Sequence, residues 1–143
     1  MKKLIILLSA LLVPLTVVPS NAAQIRVFVA DMNATGVQNR DEMKVTLQTL
    51  LSSRLNGDRI VVVGSAAEAD AVVSGTYVSI GKNFSLDAIA KTATGKTLTR
   101  AFVQGETVDE LIPAVGKLAE KLSTGLNTPN SDAGQVNTFT GSV

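Results

Sequence analysis

Hydrophobic and polar residues alternate most regularly in the middle of the chain, between Ala71 and Gln104. Three runs rich in β-branched and aromatic residues are separated there by the short polar clusters GKN and TATG. In the central run apolar residues occupy every second position, which is typical of a strand with one buried face. These apolar positions are Phe84, Leu86, Ala88 and Ala90. The pattern predicts three antiparallel strands joined as a meander.

The segment before the meander predicts a strand followed by a helix. The run from Gln24 to Ala30 has apolar residues on both faces, which indicates a central strand, and a polar loop over residues 31–36 follows it. Asn39 and Glu42 have the spacing of a capping box at the start of a helix, and Asn56-Gly57 ends that helix. Its apolar stripe consists of Met43, Leu47, Leu50, Leu51 and Leu55.

A second strand is predicted from Arg59 to Val63, because this apolar run is typical of a strand deep within a sheet. Residues 64–70 then form a short turn or a single helical turn before the meander. A strand, a helix and a strand in this order favour a right-handed crossover.

The segment after the meander predicts a helix that covers the sheet. Gly105 breaks the last strand, and residues 107–110 form a second capping box. The apolar stripe has a spacing of three and four residues and consists of Val108, Leu111, Ile112, Val115, Leu118, Ala119 and Leu122. Pro113 is compatible with the first turn of this helix, and Gly125 ends it.

Together these elements predict an α/β fold of the α+β type. The element order is β-α-β-β-β-β-α, with a five-stranded mixed sheet and two main helices packed on one of its faces. The first strand is too apolar on both faces to lie at an edge of the sheet, so we expect a strand of the meander to form the open edge. We expect the segment from Thr97 to Val103 to be that edge.

Both ends of the chain differ from this domain. Residues 1–23 have the basic start, apolar middle and small-residue end of a cleaved signal peptide, with Lys2 and Lys3 as the basic residues. No Cys follows for a lipid anchor. Residues 24–125 form one domain, and residues 126–143 are rich in Asn, Thr, Ser and Gly, which indicates a flexible tail or linker. The expected location is periplasmic or extracellular, without stable membrane insertion after cleavage.

Composition narrows the function. The chain contains no Cys, His or Trp, so the commonest general base and the thiolate nucleophile are both missing, and we expect no enzyme, no catalytic residue, no metal site and no cofactor. Two of the 13 basic residues lie in residues 1–23, so 11 remain against 12 acidic ones. This near-neutral balance, with aromatic residues at 3%, argues against nucleic acid as a partner.

One pattern keeps an alternative open. Asp31, Asn33, Thr35, Gly36 and Glu42 match the ligand spacing of a twelve-residue calcium loop. A strand precedes the pattern where such loops have a helix, and Glu42 also has a capping role. The alternatives are therefore a plain strand-to-helix loop and a small binding module for calcium or a periplasmic ligand.

The other polar positions have simple structural interpretations. Gly95-Lys96-Thr97 shares letters with a phosphate-binding loop but lies between two predicted strands. The acidic pairs Asp41-Glu42 and Asp109-Glu110 lie at helix N-termini, where negative charge offsets the helix dipole. Ser74 has no His to activate it, and Lys91 is expected in solvent.

The order of elements and three segments resemble the N-terminal domain of TolB and its relatives. The segments are IRVFVADM, EADAVVSGTYVSIGKNFSLDAIAKTATGKTLTRAF and VDELIPAVGKLAEKL. These relatives include FlgO-like and CsgG-like envelope proteins and the exported leader domains that precede FG-GAP or VCBS repeat propellers. The resemblance implies a non-catalytic interaction or scaffold domain of the cell envelope, which docks on an envelope or extracellular protein or presents a following domain. It covers residues 24–124.

Overall fold

A mixed five-stranded sheet with two helices forms the structure, a computed structural model that describes residues 23–128. The order of strands along the sheet is β2-β1-β3-β4-β5. Single 3₁₀ turns at Ala66–Glu68 and Val108–Glu110 precede β3 and α2. The elements are β1 (Ile25–Thr35), α1 (Arg40–Leu55), β2 (Ile60–Val62), β3 (Ala71–Ile80), β4 (Asn83–Thr92), β5 (Thr97–Gly105) and α2 (Leu111–Asn127).

The strand directions confirm the predicted fold class and the meander. β1 pairs in parallel with both β2 and β3, whereas β3, β4 and β5 pair antiparallel. β1 is therefore internal, as its two-sided apolar pattern predicted, and β5 is an edge. In β4 the four alternating apolar residues that begin with Phe84 are all buried.

The prediction that residues 59–63 lie deep in the sheet is wrong. β2 has three residues, lies at the opposite edge from β5, and buries only Ile60 fully. Val61 and Val62 are half-buried. An edge strand can be continuously apolar when α1 covers one of its faces, so an apolar run alone does not show whether a strand is central.

Both helices lie on one face of the sheet, here called the covered face. α1 packs on β1 and β2, α2 packs on β4 and β5, and the two helices contact each other. α1 buries Leu47, Leu51 and Leu55, which recur every four residues. α2 buries Leu111, Ala114, Val115, Leu118, Ala119, Leu122 and Leu126. Burying these apolar stripes together with the covered face of the sheet forms one core.

β1 extends through the segment where a polar loop was predicted, and that prediction is wrong. A β-bulge between Val29 and Met32 adds a residue to β1, so its buried positions change from odd to even numbers. Met32 then packs against Gly75 of β3, where an added Cβ atom would lie 2.8 Å from the Met32 sulfur. Gln48 of α1 donates a hydrogen bond of 2.9 Å to the Val29 carbonyl beside the bulge. Packing and this hydrogen bond stabilise an extended backbone that a run of polar residues does not predict.

Neither predicted capping box forms. At the start of α1 the Asn39 side chain makes no capping hydrogen bond, and its amide donates instead to Glu42 Oε2 at 3.3 Å. Before α2, Thr107 also makes no side-chain cap, and Glu110 Oε2 accepts a hydrogen bond from the Glu106 backbone N–H at 2.9 Å. Sequence spacing identified where the helices begin but not which groups bond there.

α2 begins where its proline predicted and ends later than its glycine predicted. Pro113 is the third residue of the helix, so it lies in the first turn, where it removes no hydrogen bond. Val108 and Ile112 were assigned to the buried stripe, and both are exposed. Gly125 does not end the helix, because the helix continues to Asn127 and buries Leu126.

The predicted domain and tail limits fall partly outside the described part of the chain. Residues 1–22 and 129–143 lie outside it, so the signal peptide and the linker remain predictions. Within residues 23–128, none of the helices is both long enough and apolar enough to span a membrane.

Candidate functional site at the edge of strand β5

The face of the sheet opposite the helices, here called the open face, carries a mixture of apolar and polar side chains. Antiparallel pairing places Phe102 beside Asp87 and Arg100 beside Ile89 on this face. These four residues line part of a shallow groove with a volume of about 680 Å³. Phe102 is 58% exposed, which is unusual for a large aromatic side chain in a strand. The groove therefore combines an exposed ring with charges of both signs next to the β5 edge.

β5 offers backbone groups at its outer side. In an antiparallel strand the N–H and C=O of one residue point to the same side, and that side alternates along the strand. The Phe102 carbonyl accepts a hydrogen bond from Lys121 Nζ at 3.0 Å, so it points away from β4. By alternation, the backbone groups of Arg100 and Gln104 also point outward. The outer edge thus presents three residues whose backbone groups can pair with another strand.

Lys121 is the residue of α2 that reaches this edge. Its side chain passes from the covered face to the edge, where its ammonium bonds the Phe102 carbonyl and lies 5.5 Å from the centre of the Phe102 ring. The second contact is a cation–π interaction, worth about 0.5–1 kcal/mol at an exposed site. Lys121 itself is exposed. One solvent-accessible side chain therefore occupies the central carbonyl of the edge.

The opposite edge of the sheet differs in this respect. The Ile60 carbonyl accepts a hydrogen bond from the Gly57 N–H at 2.8 Å, and the Val62 N–H donates to Asn56 Oδ1 at 3.1 Å. Both partners belong to the turn that joins α1 to β2. Because this turn bonds two of the outward backbone groups of a three-residue strand, β2 offers another strand less to pair with than the nine-residue β5 does. β5 is the edge of the sheet that suits docking.

The residues of the calcium pattern do not form a loop. Asp31, Asn33 and Thr35 lie at alternate positions of extended β1, and Glu42 lies in the first turn of α1. A calcium loop must curl so that its ligands converge on one ion, which an extended strand prevents. Among residues 23–128 there is no group of three or more acidic, Cys or His side chains that could hold a metal ion.

The remaining polar candidates are not brought together either. Ser74 lies half-buried on β3, and Gly95 has the positive φ of 88° that its turn requires. The acidic pairs 41–42 and 109–110 lie at the starts of different helices. This arrangement does not bring the two acidic pairs into one site.

Arg26 and Asp70 form a bidentate ion pair at the start of the sheet. Arg26 Nη2 lies 3.0 Å from Asp70 Oδ1, and Arg26 Nε lies 3.3 Å from Oδ2. The side-chain hydrogen bond from Arg26 lowers the pKa of Asp70, and the same bond raises the pKa of Arg26. The Asp70 N–H also donates to the Arg26 carbonyl at 2.8 Å. These bonds fix the start of β3 against β1, which is a structural role.

Comparison with known proteins identifies the fold but no family. No protein-family model and no curated protein sequence matches the chain. The structure is similar to TolB from Acinetobacter baumannii, with a TM-score of 0.56 and 11% identity over 73% of this chain and 28% of that chain. The predicted TolB-like fold is confirmed. Because 28% of TolB is matched, the chain corresponds to a part of that protein.

Two further solved structures are similar at lower scores. The PelC dodecamer from Paraburkholderia phytofirmans has a TM-score of 0.49 and 15% identity, covering 75% of this chain and 90% of that chain. Lipoprotein GNA1162 from Neisseria meningitidis has a TM-score of 0.46 and 14% identity, covering 71% and 99% of the two chains.

Proposed function

We propose that this chain is a non-catalytic interaction domain of the bacterial cell envelope, which docks a partner protein by accepting an extended segment at the outer edge of β5. The observation that carries the proposal is the difference between the two edges of the sheet. β2 has three residues, and its own turn bonds the Ile60 carbonyl and the Val62 N–H, whereas β5 has nine residues and presents outward groups over residues 100–104 beside an exposed Phe102. Strand addition uses main-chain hydrogen bonds for affinity, so it requires no special sequence motif.

Composition and placement of charge support the non-catalytic part of the proposal. The sequence has no His and no Cys, and its acidic pairs lie apart at two helix N-termini. A general acid or base near neutral pH needs a group with a suitably shifted pKa. The pKa values of Arg26 and Asp70 are shifted by their own ion pair, which fixes two strands.

The envelope location rests on the TolB-like fold together with the signal-peptide pattern of residues 1–23. As part of the same proposal, the chain is exported, residues 1–23 are removed, and the residues after Thr128 serve as a linker that can present a further domain, as in the leader domains of FG-GAP or VCBS repeat proteins. N-terminal sequencing of the exported protein tests the cleavage, for which we expect a start at Ala23 or Gln24.

A proline at the edge tests the docking. Arg100→Pro removes a backbone N–H that points outward, a position where an edge strand tolerates proline. Arg100→Thr removes the same charge but keeps the N–H. A photo-crosslinking residue at Gln104 in the exported protein reports the partner in intact cells. We expect a discrete crosslinked adduct with the wild type and with Arg100→Thr, and its loss with Arg100→Pro.

Two measurements give the outcome its meaning. Circular dichroism must show that Arg100→Pro retains the native spectrum and a cooperative melt, because proline at an inward-pointing position would instead remove a ladder hydrogen bond. The same crosslinker at Val61 on β2 serves as the positional control. An adduct that survives Arg100→Pro in a folded protein, or that forms equally from Val61, contradicts docking at β5.

A further inference from the structure

The β5 edge is open for pairing at its ends and occupied at its centre. A strand that pairs along residues 100–104 must bond the Phe102 carbonyl, which Lys121 Nζ already bonds at 3.0 Å. Docking therefore requires the Lys121 ammonium to leave that carbonyl. A hydrogen bond from a charged donor is stronger than one between two neutral groups. Breaking the bond between Lys121 and the carbonyl therefore costs free energy, unless the ammonium finds a new acceptor.

Two cations lie on β5 and at its outer edge, whereas the Asp87 carboxylate of the groove lies one strand further in, on β4. Arg100 on the open face and Lys121 at the edge are both exposed. The ion pairs formed within residues 23–128 involve other residues, so neither of these two cations has a carboxylate within 4.0 Å in that part of the chain. A carboxylate on an incoming strand would give Lys121 a partner of opposite charge in place of a carbonyl dipole.

Strand geometry then specifies where such carboxylates belong. The residue of the incoming strand directly opposite Phe102 lies on the open face, where an apolar side chain can contact the ring. Its immediate neighbours point to the covered face, from which Lys121 reaches the edge. The suitable segment therefore alternates, with an apolar residue at the centre and acidic residues beside it.

The same lysine disfavours a second copy of this chain at the edge. Antiparallel pairing of two β5 strands centred on Phe102 would bring the two Lys121 ammonium groups together at the two-fold axis. Like charges within a Debye length of about 8 Å at physiological salt repel each other. One residue can thus discriminate against self-pairing and for an acidic partner, which is how specific interfaces are commonly built.

We propose that the outer edge of β5 selects an extended acidic segment of another protein, with Lys121 moving from the Phe102 carbonyl to a carboxylate of that segment. This inference rests on the proposed docking at β5 and adds the chemistry of the partner. Lys121 is a specificity-determining residue in this scheme, because its release is favourable only when the incoming strand supplies an anion.

The test uses two labelled nine-residue peptides, one alternating Val with Glu and one alternating Val with Lys, and the full chain purified from the periplasm. Fluorescence anisotropy measures their affinities for the wild type and three variants. Lys121→Met removes the proposed selector. Lys117→Met is the matched control, since Lys117 is an exposed lysine one turn earlier on α2 and its loss changes the net charge equally. Arg100→Pro blocks strand pairing itself.

We expect the wild type to bind the Glu peptide at least tenfold more tightly than the Lys peptide, with the preference decreasing at high salt. Lys117→Met should keep this preference and Lys121→Met should lose most of it. Arg100→Pro should bind neither peptide. These results together support the proposal.

Other results would distinguish a failure of the acidic selection from a failure of docking at β5. Equal affinity for both peptides that is still abolished by Arg100→Pro overturns the acidic selection and leaves docking at β5 intact. Binding unaffected by Arg100→Pro, or no binding of either peptide, overturns the inference. Sedimentation of the wild type alone identifies the other occupant: a dimer that Arg100→Pro dissociates would place a second copy at the edge and contradict the selection.

Discussion

Two glycines of α2 provide a direct test of how this helix lies against the sheet. A Cβ atom added at Gly125 would collide with Thr99 Oγ1 and lie 2.6 Å from Thr99 Cβ, whereas one added at Gly116 would meet nothing within 4 Å. Gly125 therefore allows α2 to approach β5 closely, and Gly116 is replaceable. We predict opposite effects of Gly125→Ala and Gly116→Ala on the free energy of unfolding.

The size of this difference in unfolding free energy depends on which atoms of Thr99 the new methyl group meets. Rotating the Thr99 side chain can move Oγ1 but not Cβ, so the contact at 2.6 Å remains unless α2 or β5 shifts. Overpacking of this kind costs about 1–3 kcal/mol. Replacing glycine by alanine within a helix contributes about 1 kcal/mol of stability. Because both variants gain a similar helix term, the difference between them isolates the collision, and we expect it to be about 1–3 kcal/mol.

Urea unfolding followed by far-ultraviolet circular dichroism measures this difference, since the chain has no Trp. Gly116→Ala should raise the unfolding midpoint and Gly125→Ala should lower it, with an unchanged slope for both. In a Thr99→Gly background, Gly125→Ala should lose its cost, because the colliding atoms are gone. If Gly125→Ala stabilises the protein as much as Gly116→Ala, the close approach of α2 to β5 is refuted.

Two further predictions concern polar groups of the sheet. The Tyr77 hydroxyl is buried without a hydrogen-bond partner in the described part of the chain, so Tyr77→Phe should stabilise the protein by about 1 kcal/mol in urea unfolding, and a loss of stability would show that the hydroxyl has a partner. The pKa of Asp70 is lowered in the folded state, so its ion pair contributes stability above the unfolded pKa of about 3.9, and that contribution is lost as the pH falls through the folded value. Asp70→Asn should therefore lower the urea midpoint at pH 7, and the decrease should become smaller as the pH falls below about 3.9, whereas a decrease of the same size at every pH would contradict the ion-pair explanation.

The meander and α2 could be predicted from the sequence because local patterns there agree with the tertiary structure. Phe84 to Ala90 alternate with a strict period of two, and no bulge interrupts β4 against β3. In α2 the buried residues recur at three and four positions along the whole helix. Where a single period persists over an element, the sequence determines both the element and its buried face.

The predicted first strand is shorter than β1, because the bulge changes the alternation of buried residues partway along the strand. Val27 and Val29 are buried before the bulge, and Met32 and Ala34 after it, so the two halves do not share one alternation. The segment from Asp31 to Thr35 does alternate by itself, and that alternation was the available signal. The polar residues of this segment also match the ligand spacing of a calcium loop, so the sequence allows both a loop and a strand there.

The candidate site was only half predictable for a different reason. The meander implied an open edge, and the strand from Thr97 to Val103 was correctly placed there. The contact of Lys121 with Phe102 joins residues 19 positions apart on different elements. No periodicity within either element indicates it, because it depends on how α2 lies across the sheet. Contacts of this kind require the tertiary structure.

The two edges of the sheet are protected against unwanted strand pairing in different ways. Exposed strand edges promote aggregation, and natural proteins protect them with short strands, charges or bulges. β2 is short and the adjoining turn bonds two of its outward groups, so its protection is part of the fold. β5 has nine residues and a bulge near Leu98, and Lys121 of α2 bonds the carbonyl at its centre. Protection by a single exposed side chain can be released without unfolding, because α2 keeps its buried residues when Lys121 rotates away. The edge that is protected reversibly is therefore the one that a partner strand can use.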